Sequence, residues 1–141
     1  MLRRGSHAVY ELGYHLVWIP KRRRPLLRDR VARRLAELLW EICEGYGWTL
    51  RQQSVQADHV HVFLEAPPRY SVEELITTLK SLTARKLFEE YPGLAAGLPS
   101  RELWSDGYFA RAVGDHVTAQ VIDRYIRYQE QGDKGQLRLW R

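Results

Sequence analysis

Cysteine is nearly missing from this chain of 141 residues: Cys43 is the only one. A lone thiol excludes an intrachain disulfide framework and a cysteine-built zinc cage. It falls in a helical pattern, where it reads as a small buried residue. Long apolar runs are lacking too. No stretch approaches the roughly 20 apolar residues of a membrane helix, and the N-terminus shows no apolar signal core. A cytoplasmic protein is therefore expected. No internal repeat, low-complexity tract or linker divides the sequence, so a single domain over 1–141 is expected. With 45% hydrophobic and 28% charged residues, the chain is large enough to bury a core without staples.

Acidic residues are scarce in the first quarter. Residues 1–34 hold ten Lys or Arg against only Glu11 and Asp29, whereas the remainder is slightly acidic and the whole chain carries +5. A basic region of this density on a folded domain points to a polyanion, most often nucleic acid. The run Lys21, Arg22, Arg23 and Arg24 is its densest part. Lys80, Arg85 and Lys86 line the exposed face of a later helix and form a second basic surface.

Alternation is plentiful. Asp58-His59-Val60-His61-Val62-Phe63-Leu64-Glu65 reads as a strand with two unlike faces. Val60, Val62, Leu64 and Ala66 make a core face, while His59, His61, Phe63 and Glu65 point away from it. The two imidazoles stand about 7 Å apart on one surface, close enough to share a metal ion. A pair of solvent-facing or hydrogen-bonded histidines fits the same spacing.

Around that strand, residues 1–6 read as a loose tail and His7 to Ile19 as a long strand. Tyr10, Leu12, Tyr14, Leu16 and Trp18 share its apolar face. His15 lies on the more polar face, beside the histidine pair, and reads as structural or substrate-side rather than as a ligand. Asp29 is expected to cap a helix running to about Gly45. Trp48 to Gln56 forms a strand that turns at Ala57-Asp58 into the His-x-His strand. Ser71-Val72-Glu73-Glu74 is a capping box opening a helix to about Tyr91. A loop from Pro92 to Ser100, a strand from Trp104 to Val113 and a last helix from His116 to Gln131 follow. This β-α-β-β-α-β-α order predicts an α+β, ferredoxin-like (RRM-like) antiparallel sheet with helices on one face. His59 and His61 then lie on the open face. On the last helix, Tyr125 and Gln129 are four apart and share a face, with Tyr128 on the adjoining stripe. On an isolated helix those tyrosines read better as amphipathic packing residues.

Three segments in order, Tyr14-His15-Leu16-Val17-Trp18, Asp58-His59-Val60-His61 and Tyr125-Ile126-x-x-Gln129, resemble the HUH single-tyrosine transposases of insertion-sequence-200-like elements. The resemblance spans about residues 7–131 and leaves 132–141 as a tail. It implies that His59, His61 and Gln129 bind a divalent magnesium or manganese ion and that Tyr125 is the nucleophile. It also implies a homodimer acting on single-stranded DNA, with hairpins recognised near the element ends. The chemistry is coherent. A phenol with a pKa near 10 needs help to attack at neutral pH, and a metal with open positions can polarise a phosphate. Attack would leave a 5′-phosphotyrosine and a free 3′-hydroxyl, so rejoining would need no ATP. Two other functions suit the same residues: a non-catalytic single-stranded nucleic-acid-binding module, and a phosphodiesterase using the histidines and an activated water.

Overall fold

The computed structural model describes residues 12–112 and 124–127, together with the backbone of 3–4 and 9–10. In chain order the elements are β1 (Arg3–Arg4), β2 (Val9–Tyr10), β3 (Gly13–Trp18), α1 (Asp29–Tyr46), β4 (Thr49–Gln56), β5 (His59–Glu65), α2 (Val72–Glu90), α3 (Pro92–Ala96) and β6 (Phe109–Ala112). The sheet runs β4-β5-β3-β6 with every pairing antiparallel. That is the ferredoxin-like order expected from the sequence, with the first and third of the four strands at its centre.

The core lies on one side of this sheet. Leu16 and Trp18 of β3 and Val60, Val62 and Leu64 of β5 meet Leu35, Leu38 and Leu39 of α1 and Leu75, Ile76 and Leu79 of α2. Each such side chain, taken out of water, contributes about 1.5–3 kcal/mol. The capping box at α2 forms as read: Ser71 Oγ accepts from the Glu74 amide, and Glu74 accepts from the Ser71 amide. α1 ends at Gly47, whose φ of 77° is the left-handed cap that glycine adopts without penalty.

Some expectations change. The long first strand is two pieces, and Arg3–Arg4 pairs with Val9–Tyr10 instead of trailing as a tail. The 92–100 loop begins with the short helix α3. The strand read from Trp104 shrinks to Phe109–Ala112, because Gly107 takes a φ of 87° and turns the chain. Trp104 touches the sheet separately, through a bridge to Pro20. Of the last helix, residues 124–127 are described and are helical. Gln129, Tyr128 and the 132–141 tail lie outside the described residues.

Trp104 ties the irregular segment to the core. Its indole N–H donates to Lys80 O and Thr83 Oγ1, each at 3.1 Å, and its ring meets Trp18 edge-on at 5.8 Å. Trp104→Ala should therefore lower the unfolding free energy by about 3–5 kcal/mol. Urea denaturation checks this, and a loss below about 1 kcal/mol would show that the anchor is dispensable.

Candidate active site

Because Val60, Val62 and Leu64 face the helices, β5 projects His59, His61 and Phe63 from the opposite side. The register surrounds them. His61 sits between Val17 of β3 and Ser54 of β4, and Phe63 sits between His15 and Gln52. All three rings are partly buried.

Each histidine is held by a neighbour. His59 Nδ1 lies 3.0 Å from Asp58 Oδ1, and Asp58 Oδ2 accepts from Arg23 Nε at 2.9 Å. Partial burial pushes the Asp58 carboxyl up, but the hydrogen bonds from His59 and Arg23 outweigh this and hold it below the usual carboxylate range. An ionised carboxylate only accepts, so His59 Nδ1 is the donor in this contact and Nε2 is the ring nitrogen left for a metal. His61 Nε2 lies 3.1 Å from His15 Nδ1, and the His15 ring stacks on Phe63 at 4.6 Å and 15°. Burial, followed by the nearby His15 and His59, holds the His61 pKa below its ordinary value. At neutral pH it is an uncharged imidazole, the form that binds metals. These donors suit a divalent ion, although no three His, Cys, Asp or Glu side chains converge as a ready-made site among the described residues.

Arg23 reaches Asp58 from an unusual backbone. Pro20 leads into a tight turn, Lys21–Arg23, in which Arg22 and Arg23 both take positive φ, 57° and 53°. Two non-glycine residues in that region cost on the order of 1 kcal/mol or more each, and such strain collects at functional sites. The turn is fixed by Lys21 N–H donating to Leu103 O and Arg23 N–H to Pro20 O.

Tyr125 is on the same side of the sheet. Its side chain packs with Ile126 against Val17, Ile19 and Phe109, with ring centroids of Phe109 and Tyr125 6.4 Å apart. Since Val17 is the cross-strand partner of His61, the tyrosine sits one strand from the histidine pair. This packing buries Val17 completely, although it lies on the same face of the sheet as His15 and His61. The phenol oxygen is shielded from solvent in this seat.

The basic residues divide between the two layers. The Lys21–Arg24 loop adjoins the histidine strand through Arg23. Lys21 pairs with Glu102 at 3.1 Å, Arg24 donates to Gly97 O, and Arg22 is exposed. Lys80 spans to Ser105 O and Gly107 O at 2.7 and 3.0 Å and so steadies the irregular loop. Arg85 and Lys86 are exposed on α2, on the helical side. Sequence reasoning treated Asp58 as a turn residue and Arg23 as a DNA contact. The only signal for their joint role was the carboxylate immediately preceding the His-x-His strand.

Residues 8–129 match the family of IS200-like transposases. The chain belongs to that family. It is therefore a DNA transposase, and two relatives lie close along nearly their full lengths. The ISDra2 transposase TnpA of Deinococcus radiodurans is 34% identical over 128 residues, 91% of either chain. The transposase for insertion sequence element IS200 of Salmonella typhimurium is 33% identical over 129 residues, covering 92% of this chain and 84% of its own. A crystal structure of a transposase candidate from Deinococcus radiodurans R1 superposes with a TM-score of 0.82 at 35% identity, covering 90% of this chain and 97% of that one. A REP-associated tyrosine transposase bound to a REP hairpin shares the fold more distantly, with a TM-score of 0.54 at 12% identity over 96% and 74%.

Proposed function

We propose that this IS200-like transposase cuts and rejoins single-stranded DNA at insertion-sequence ends, with Tyr125 as the nucleophile. The observation that carries the reading is the seating of Tyr125 one strand from His59 and His61 on the open face. Attack of its oxygen on phosphorus forms a 5′-phosphotyrosine and breaks the bond to the 3′-oxygen. The phenol gives up a proton and the departing 3′-oxygen takes one up. The phosphotyrosine keeps the bond energy, and attack by a 3′-hydroxyl reverses the step.

His59 and His61 would hold the divalent ion, with Gln129 as third ligand. Magnesium or manganese there would polarise the phosphate and offset developing charge. Asp58 and His15 orient the two imidazoles.

In a homodimer the partner's sheet offers the final helix a second, equivalent seat. Exchange between equal seats costs little packing energy. We place the functional pair in trans, with the histidines of one copy facing Tyr125 of the other. The substrate is a hairpin-bearing strand, supported by the hairpin on the distant relative. Lys21, Arg22, Arg23 and Arg24, with Lys80, Arg85 and Lys86, are the side chains placed on its phosphates. The work is done in the cytoplasm, where the DNA lies.

Denaturing gel electrophoresis tests this. Labelled single-stranded DNA from the flanks of the gene, with manganese present, should give a covalent protein–DNA band that disappears in EDTA. Metal-dependent cleavage without such a band would favour the phosphodiesterase, and binding without cleavage the non-catalytic module.

A further inference from the structure

Beside the histidine pair the open face is not flat. Gln52, Gln53, Ser54, His61 and Phe63 line an open cavity of about 300 Å³. The Gln53 side chain is turned away and donates to Ala36 O on the helical side. One flank of the Phe63 ring is covered by His15, on the β3 side. The cavity lies on the other flank, along β4, which is an edge strand of the sheet. An aromatic ring backed by a second ring, with a carboxamide and a hydroxyl lining the same cavity, suits one flat heterocycle. The ring supplies a stacking platform, and the amide supplies one donor group and one acceptor to the heterocycle's edge. The volume, at the small end of ligand pockets, suits a single base.

We infer that this cavity receives the nucleobase next to the scissile phosphate, stacked on Phe63 and read at its edge by Gln52. The inference rests on the strand-transfer reading and extends it. His61 is both a wall of the cavity and a proposed metal ligand, so a base held here lies beside the bond being cut. Ser54 Oγ accepts from Gln56 Nε2 at 2.9 Å, so its hydroxyl hydrogen is not used in that bond and can be donated to a base. The stack His15–Phe63–base would couple base docking to the histidine cluster.

The test uses a hairpin-bearing single strand from the DNA flanking the gene, with 2-aminopurine substituted one position at a time. Binding is followed in Tyr125→Phe so that the strand stays intact. The wild-type adduct assay, run separately on the same strands, locates the scissile phosphate. One position adjoining that phosphate should show strong fluorescence quenching on binding, and Phe63→Leu should abolish it. Phe63→Leu should also weaken binding of the intact strand about fivefold to a hundredfold, the range of base–aromatic stacking. A strand abasic at that position should bind both proteins equally. Gln52→Ala, on the exposed edge, should fold normally and change which base is preferred there. Uniform quenching along the strand, or equal weakening of intact and abasic strands, would overturn the inference while leaving the adduct intact. Position-specific quenching with no adduct in manganese would instead overturn the strand-transfer reading and leave the pocket standing.

Discussion

Tyr125→Phe is expected to eliminate the covalent protein–DNA band and to slow cleavage by a factor on the order of 10⁴ or more, as removal of a nucleophile does. Folding should survive. The ring remains packed on Val17, Ile19 and Phe109, and only one oxygen is lost, so stability should change by no more than about 1 kcal/mol. Hairpin affinity should be unchanged, because phosphate contacts from Lys and Arg carry it. Tyr128→Phe should retain both cleavage and adduct. If the band persisted in Tyr125→Phe and vanished in Tyr128→Phe, the nucleophile would be the other tyrosine.

His59→Ala and His61→Ala should each abolish metal-dependent cleavage and leave DNA binding near the wild-type level. Gln129→Ala should be milder, since water can replace one neutral ligand. The Asp58 contact adds a sharper expectation. Asp58→Asn removes the charged acceptor that fixes the His59 tautomer, and manganese affinity should fall about 10–100-fold. Calorimetry reads that directly, and unchanged affinity would mean that Asp58 serves Arg23 alone. Mixing two inactive chains tests trans docking. Co-expressed His61→Ala and Tyr125→Phe chains can build one intact composite site per heterodimer, so cleavage should partly return. Heterodimers that form yet remain inactive would place the site in cis.

Much of this architecture is legible in the sequence because it rests on short-range rules. The capping box at Ser71 and the alternation from His59 to Glu65 each name one element, and the order of all the elements along the chain gives the sheet order. Irregular segments resisted reading. Gly107 bends the chain in the middle of an apparent strand, and Arg3–Arg4 pairs with a strand end that no periodicity announces. The candidate site is half legible in the sequence. His59, His61 and Tyr125 follow from spacing and from resemblance, but the links between them are made across the sheet. Arg23 meets Asp58 from 35 positions away and His15 meets His61 from 46, distances at which a linear pattern carries no signal. The same limit hides the Phe63 cavity. Phe63 was read as a face residue, and only the β4 register brings Gln52 and Ser54 beside it.

Tyr125 is expected to become covalently joined to DNA. Protease digestion of the wild-type adduct followed by tandem mass spectrometry of the nucleotide-bearing peptide tests it most directly. A 5′-phosphonucleotide on Tyr125 is the predicted result. A nucleotide on Tyr128, or cleaved DNA with no tyrosine modified, would contradict it.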